Sequence, residues 1–134
     1  MVEKKIPDAE LDVLACLQRL QEATARDIRE AMRAYRPMAH GSVVTLLKRL
    51  EGKELVTKRK GATGKAFVYR PTRGVKPTYQ NLLKRLRQRV FGGDSVALVA
   101  SLFESKPPSS EELRQLERLL ERLKNDSSLK GRTR

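Results

Sequence analysis

An amphipathic segment followed at once by two β-rich segments is the feature that most restricts how this chain can fold. Within residues 42–50, apolar side chains recur at the i, i+3, i+4 and i+7 positions of a helix with one buried face. These side chains belong to Val43, Leu46, Leu47 and Leu50. Residues 55–60 and 66–70 favour strands and flank the glycine-containing stretch 61–65. The pattern predicts a helix capped by Ser42 that leads into a β-hairpin.

Two further amphipathic segments precede this helix. Asp8 can cap a first helix over residues 9–19, whose leucines recur at helical spacing. Thr24 and Asp27 have the spacing of a capping box for a short second helix that ends before Pro37. Three helices followed by a hairpin is the element order of a winged helix-turn-helix domain. We assign this domain to residues 1–74 and expect a mainly α fold with one small β-hairpin.

The rest of the chain predicts a helical dimerisation region over residues 75–124. A fourth helix begins near Thr78, and two apolar helices follow that are too short to cover their own apolar side chains. Ser109 and Glu112 have the spacing of a capping box for the last of them. A second copy of the chain would cover the apolar side chains. The predicted dimer-interface residues are Val96, Val99, Leu102, Phe103, Leu113, Leu116, Leu120 and Leu123. The polar segment 125–134 shows no periodicity and is predicted to be a disordered basic tail.

Basic residues are concentrated in one part of the chain. The net charge is +13, and residues 55–93 contain 11 basic residues and no acidic residue. An acid-free basic tract inside a folded region indicates a polyanionic partner. Double-stranded DNA is therefore the partner that we expect first.

The third helix and the hairpin provide the candidate DNA contacts. In a helix-turn-helix the second helix of the motif enters the major groove, and a basic hairpin beside it can contact phosphates. The candidate DNA-binding residues are Ser42, Val44, Thr45, Lys48 and Arg49 on the helix and Lys58, Arg59, Lys60, Lys65 and Arg70 on the hairpin. Two alternatives stay open: an ordinary solvated surface, and a nonspecific architectural protein that binds DNA or RNA.

The sequence offers no set of residues for catalysis or metal binding. His40 is the only histidine and Cys16 the only cysteine, so neither a Cys/His pair nor a metal cluster is predicted. His40 is expected in a loop or at the start of the third helix, and Cys16 lies among core positions, where a buried inert thiol is favoured over a redox sensor. We expect no cofactor and no enzyme activity. A lone cysteine and the lack of a long apolar stretch favour a cytoplasmic protein that does not bind membranes.

The order of these segments resembles the penicillinase-repressor family, which includes the β-lactamase, methicillin-resistance and copper-responsive repressors. The resemblance covers roughly residues 6–124. Its marks are Ile6-Pro-Asp-Ala-Glu10, Ala25-Arg-Asp-Ile-Arg29, Ser42-Val-Val-Thr-Leu-Leu-Lys-Arg-Leu50 with Lys53 and Leu55, and Phe67-Val-Tyr-Arg-Pro71.

The resemblance implies a homodimeric transcriptional repressor that binds a palindromic operator. On this reading Ser42, Thr45 and Lys48 face the operator, and the hairpin cations contact phosphates. Two regulatory features of the family are not matched. β-Lactamase-type repressors are cut by a signalling protease near an Asn-Phe pair. This chain has Leu102-Phe103 at the matching position, so the resemblance leaves open whether a signalling protease is a partner. The copper-responsive members carry a C-terminal cysteine cluster that this sequence does not contain.

Overall fold

The computed structural model describes residues 5–62, 64 and 66–131, with side chains described as far as residue 127. Within these residues it contains six helices and one antiparallel two-stranded sheet. The elements in chain order are α1 (Asp8–Leu20), α2 (Ala25–Met32), α3 (His40–Gly52), β1 (Val56–Lys60), β2 (Phe67–Pro71), α4 (Val75–Phe91), α5 (Ser95–Ser105) and α6 (Ser110–Gly131). The predicted mainly α fold with one hairpin is confirmed.

The chain divides into two compact units within α4, between Leu83 and Lys84. The sequence predicted the division after residue 74, where α4 was expected to be separate from the first three helices. The first part of α4 instead belongs to the N-terminal unit because Val75 is buried in its core and Tyr79 packs against that core. Helix α4 also starts before the predicted Thr78, since Pro77 lies in the first turn, where a missing N–H group costs little.

The N-terminal unit is built around the apolar faces of its first three helices. Helix α3 packs against both α1 and α2. The completely buried side chains include Leu14, Leu17, Ile28, Leu47 and Leu50. Cys16 is also buried, as predicted. The apolar positions that recur at helical spacing in the sequence therefore form one continuous core.

Two predicted helix caps are wrong. Asp8 lies inside α1, which follows Pro7, and Ser42 lies inside α3, which follows Ala39. Neither helix has a side-chain hydrogen bond at its start. Asp8 still favours its helix from the first turn, where a negative charge complements the helix dipole. His40, which the sequence placed either in a loop or at a helix start, is the first residue of α3.

The capping box of α2 is confirmed. Thr24 Oγ1 accepts a hydrogen bond from Asp27 N at 3.1 Å, and Asp27 Oδ2 accepts one from Thr24 N at 3.0 Å. These reciprocal bonds satisfy two backbone donors that a helix start leaves without partners. Local hydrogen bonds therefore define where α2 begins.

A buried ion pair joins the start of α1 to the end of α3. Glu10 is only 2% exposed and is the one buried charged residue among those that the structure describes. Its Oε1 accepts from Lys53 Nζ at 2.5 Å. Because the carboxylate is shielded from water, Lys53 is its main source of charge compensation.

The hairpin pairs β1 with β2 in antiparallel register, with Lys58 opposite Tyr69 and Arg59 opposite Val68. The segment between α1 and α2 extends this sheet. Ala23 N donates to Tyr69 O at 3.0 Å, and Tyr69 N donates to Ala23 O at 2.8 Å. These bonds attach the hairpin to the three helices.

The C-terminal unit begins in α4 and contains α5 and α6. Gly92 and Gly93 end α4 with positive φ angles of 57° and 88°, a conformation that glycine adopts without steric cost. Asp94 then caps α5, accepting from Ala97 N at 2.9 Å. Ser109 and Glu112 form the predicted capping box of α6.

Helix α6 is longer than the sequence analysis predicted. It continues through residue 131, into the segment predicted to be disordered, and residues 132–134 lie outside the described part of the chain. Once a helix is nucleated by a capping box, each further residue adds a hydrogen bond at little cost, so polar residues extend it without tertiary contacts. The prediction of disorder therefore fails over residues 125–131.

Candidate nucleic-acid interface

One face of α3 is polar and open to solvent. Ser42, Thr45 and Arg49 recur at helical spacing and line an open groove beside the helix, together with Met38 and Gly41. Lys48 is exposed on the same helix. The opposite side of α3 is held in the core by Val43, Leu46, Leu47 and Leu50. The helix therefore presents hydroxyl and cationic groups outward from a rigid base.

Val44 differs from the other residues predicted on this face. It is half-buried and packs against the core. The apolar face of α3 is therefore wider than the four residues Val43, Leu46, Leu47 and Leu50 that the sequence indicated, because Val44 lies at the boundary of the core. Only part of the Val44 side chain is left for contact with a ligand.

The Thr45 hydroxyl is already committed as a donor. Thr45 Oγ1 donates to the Gly41 carbonyl, one helical turn earlier, at 3.0 Å. A hydroxyl has one donor and two lone pairs, so its oxygen can still accept a hydrogen bond. Thr45 can therefore accept from a base amino group, and its methyl group can contact a thymine methyl.

The predicted hairpin cations are present on the two strands, but most are paired. Arg59 Nη2 lies 3.2 Å from Glu22 Oε2, and Arg70 Nε lies 3.7 Å from the same oxygen. Lys58 Nζ lies 3.6 Å from Glu51 Oε1 and 4.5 Å from the centre of the Phe67 ring. In the part of the chain that the structure describes, Lys60 has no acidic partner and is exposed. Lys65 lies outside the described residues.

These pairs revise the electrostatic argument made from the sequence. A polyanionic partner was inferred because the basic tract contains no acids that could compensate its charge. Two acids from distant parts of the N-terminal unit supply part of that compensation: Glu22 follows α1, and Glu51 lies in the last turn of α3. Sequence analysis missed both residues because neither lies in the hairpin and Glu22 is 37 residues from Arg59.

Tyr69 connects the hairpin to the core. Its side chain is buried, and burial raises the pKa of its phenol above the ordinary value of 10.0, while the nearby charge of Lys58 opposes the rise. The neutral phenol is therefore the form that the folded hairpin favours. Burial of the Tyr69 side chain thus holds the hairpin, with its exposed cations, against the core.

The apolar C-terminal surface comprises the exposed apolar side chains of α5 and α6. Val96 is 78% exposed, Leu102 62% and Leu120 54%. Val99, Leu113 and Leu123 are exposed as well, whereas Phe103 and Leu116 are half-buried. Helix α5 contains no buried residue.

Helix α4 adds exposed apolar side chains that the predicted dimer interface did not include. Leu83, Leu86 and Val90 are 59%, 43% and 64% exposed. Their helical spacing is visible in the sequence, which predicted a fourth helix here but did not assign a partner to its apolar face. The periodicity identifies an apolar face and not what covers it.

Two further classes of site are absent from the described residues. No group of histidine, cysteine, aspartate and glutamate side chains among them could hold a metal ion. None of the described helices has the length and apolar character needed to cross a membrane.

Comparisons with solved structures identify the fold. A mutant MarR from E. coli, complexed with operator DNA, matches 89% of this chain and 76% of its own with a TM-score of 0.55 and 18% identity. YusO from Bacillus subtilis matches 90% of this chain and 75% of its own, with a TM-score of 0.54 and 18% identity. ZitR from Lactococcus lactis matches 92% of this chain and 77% of its own chain, with a TM-score of 0.52 and 16% identity. The neighbours are winged-helix regulators of the MarR type, which confirms the predicted fold.

A search of the curated proteins found no match. The family model of the penicillinase repressor, in contrast, matches residues 6–122, which include the three N-terminal helices, the hairpin and most of the C-terminal unit. Fold and family together indicate a winged-helix DNA-binding transcriptional regulator, in a family of regulators and not of enzymes. The chain belongs to the penicillinase-repressor family.

Proposed function

We propose that this protein is a homodimeric repressor that binds a palindromic operator through α3 and the hairpin. The observation that carries the proposal is the exposed face of Ser42, Thr45 and Arg49 on a helix whose other side is buried. A helix of this kind can enter the major groove, where its side chains reach base edges. A MarR mutant of similar fold was crystallised with operator DNA, which supports the same use of the fold here.

The two parts of the interface have different roles in this proposal. Thr45 and Ser42 read base edges, because their short side chains carry hydrogen-bonding groups. Lys48, Arg49 and Lys60 contact phosphates, which positions the protein but carries no sequence information. Affinity from the hairpin is therefore expected to fall steeply with salt, whereas discrimination between sequences depends on α3.

Replacement of Thr45 and Lys48 by alanine tests the assignment of α3. We expect the double variant to lose about tenfold or more in affinity for the DNA upstream of its own gene. Its affinity for a scrambled duplex of equal length should fall less, because only the lysine contributes there. The matched control is Ser101→Ala with Lys106→Ala, which removes one hydroxyl from α5 and one charge from the residue that follows it, both at exposed positions. Fluorescence anisotropy at two salt concentrations measures both affinities.

An equal loss on both duplexes would contradict base reading by α3. It would favour the alternative function, a nonspecific architectural protein, for which the acid-free basic tract is the main support. Similar affinity of the unmodified protein for its own upstream DNA and for the scrambled duplex would point the same way.

Dimerisation is proposed from the apolar C-terminal surface. Monomeric proteins rarely leave several large apolar side chains exposed on neighbouring positions, and such surfaces mark interaction sites. A second copy would cover them with the same elements about a two-fold axis. The symmetry of the dimer would then match a palindrome, with the two copies of α3 about 34 Å apart, one turn of DNA.

A double variant, Leu102→Glu with Leu120→Glu, tests whether this surface forms the dimer interface. Both side chains are more than half exposed in the single chain, so we expect the variant to fold. The introduced charges would be buried in a dimer, and the variant should therefore sediment as a monomer. Gln115→Glu, at an exposed polar position of α6, is the control and should remain dimeric. A double variant that still sediments as a dimer would place the interface elsewhere.

The proposal does not include a signalling protease. Leu102 and Phe103, which replace the Asn-Phe pair of cleaved family members, lie in the C-terminal half of α5. Their backbone is helical, and helical backbone must unfold before a protease can bind it in extended form. Incubation of the protein with cell extracts, followed by mass spectrometry, would show cleavage after Leu102 if a protease acts there.

A further inference from the structure

Glu22 is held beside the hairpin by the backbone. The chain turns sharply after α1, at Gln21, which has a φ of 72°. The next two residues run along β2, where Ala23 forms both backbone hydrogen bonds with Tyr69. This antiparallel pairing puts Glu22 opposite Arg70. The residue after Glu22 is therefore held to the hairpin by two backbone hydrogen bonds, which keeps Glu22 beside β2.

The outer face of the sheet brings Glu22 together with two arginines. Side chains alternate between the faces of a sheet, so Glu22 and Arg70 point away from the buried Ala23 and Tyr69. Arg59 lies on the neighbouring strand, opposite Val68, and reaches the same carboxylate. Its Nη2 lies 3.3 Å from Glu22 Oε1 and 3.2 Å from Oε2. One nitrogen of Arg59 is thus shared between the two carboxylate oxygens, whereas Arg70 forms the longer ion pair, with Nε 3.7 Å from Oε2.

A phosphate of DNA would require the same donors. Arginine binds carboxylate and phosphate with the same N–H groups. A guanidinium that is bound to a carboxylate therefore has fewer N–H groups free for a phosphate. The Glu22, Arg59 and Arg70 side chains are about half exposed, at 49%, 51% and 60%. DNA can therefore reach the two arginines, but it must compete with Glu22 for the hydrogen bond of Arg59 and for the charge of both.

We propose that Glu22 acts as a built-in competitor of phosphate that limits the affinity of the hairpin for DNA. This inference rests on the proposed DNA-binding function. The carboxylate occupies Arg59 and Arg70 in the free protein and reduces the positive charge that the hairpin offers to any duplex. Because phosphates carry no sequence information, the restraint acts equally on operator and nonspecific DNA. Glu22 thus adjusts the strength and salt dependence of binding without changing which sequence is preferred.

Glu22→Gln tests the competition, since glutamine removes the charge and keeps the size of the side chain. We expect the variant to bind its own upstream DNA and a scrambled duplex about two- to fivefold more tightly. The slope of log affinity against log salt should steepen by up to about 0.9, the value for one additional phosphate contact. The control is Glu121→Gln in α6, which makes the same change in net charge at a glutamate paired with Lys124. Thermal unfolding checks that both variants are folded.

A second background shows whether Glu22 acts through the arginines. With Arg59 and Arg70 both replaced by glutamine, Glu22→Gln should change the affinity by less than its effect in the unmodified protein. A gain of unchanged size in that background would mean that Glu22 repels phosphate directly, and would overturn the competition.

The possible failures are distinguishable. If the unmodified protein binds neither duplex at low salt, the proposed function is wrong. If it binds DNA but Glu22→Gln behaves like Glu121→Gln, the function stands and the role of Glu22 is refuted. A weaker affinity of Glu22→Gln than of the unmodified protein would also refute it, since the carboxylate would then be orienting the arginines for phosphate.

Discussion

The buried ion pair between Glu10 and Lys53 makes an unequal prediction for its two partners. Glu10 is 2% exposed, whereas the Lys53 side chain is 27% exposed. If Glu10 becomes methionine, the Lys53 ammonium can turn toward water. If Lys53 becomes methionine, the Glu10 carboxylate stays in the core without its partner. The second change should therefore destabilise the protein much more than the first.

The burial of each group gives the expected magnitudes. Removing one partner of a buried pair costs about 3–5 kcal/mol when the remaining charge is uncompensated. Since Lys53 is partly exposed, we expect Lys53→Met to lower the free energy of unfolding by about 3 kcal/mol, at the low end of that range. Glu10→Met should cost about 1 kcal/mol or less, because the new side chain fills the same space. The double variant should lie within about 1 kcal/mol of the unmodified protein, since apolar pairs often replace buried ion pairs at little cost.

Urea unfolding of the four proteins, followed by circular dichroism, measures these differences. The midpoint should shift while the slope stays constant, as for changes in stability alone. Lys124→Met is the control, because Lys124 and its partner Glu121 are 72% and 70% exposed and their pair should contribute little. Equal losses for the two single methionine variants would refute the argument from burial. A double variant as unstable as the sum of the single variants would refute the coupling.

Two further predictions concern local features of the N-terminal unit. Thr24→Ala removes the side-chain acceptor of the α2 capping box and should lower the free energy of unfolding by about 1 kcal/mol. Thr24→Ser keeps a hydroxyl acceptor and should retain most of the stability of the unmodified protein. Urea unfolding at neutral pH would measure both variants, and equal stability of the alanine and serine variants would contradict the cap. Burial raises the pKa of Tyr69, so its contribution to stability is complete below pH 10 and is lost as the pH rises through the raised pKa, because the unfolded chain loses the proton first. Tyr69→Phe should therefore weaken the loss of stability above about pH 10, and an identical alkaline profile for the two proteins would show that Tyr69 does not contribute to it.

Local patterns accounted for much of the fold. The capping boxes at Thr24 and Ser109 were predicted correctly because their partners stand three residues away, a distance that helix geometry determines by itself. The wrong caps, Asp8 and Ser42, show the limit of the same reasoning. Each is a good capping residue, but α1 begins at Asp8 itself and α3 begins two residues before Ser42.

The candidate DNA-binding surface was predicted in composition but not in electrostatic state. The spacing of Ser42, Thr45 and Arg49 indicated one face of a helix, and the structure has them on one groove. The partners of Arg59, Arg70 and Lys53 could not be predicted. Glu22 is 37 residues from Arg59, and Glu10 is 43 residues from Lys53.

By itself, the sequence determined the helical and strand segments, the apolar face of each helix, the concentration of positive charge and the family resemblance. These properties depend on residues a few positions apart, whose geometry follows from the period of a helix or strand. Only the tertiary structure decided that Glu22 faces the hairpin arginines, that Glu10 is shielded from water beside Lys53, and that Val44 is partly in the core. Each of these depends on how separate elements pack, and side chains distant in the sequence meet only after that packing is formed.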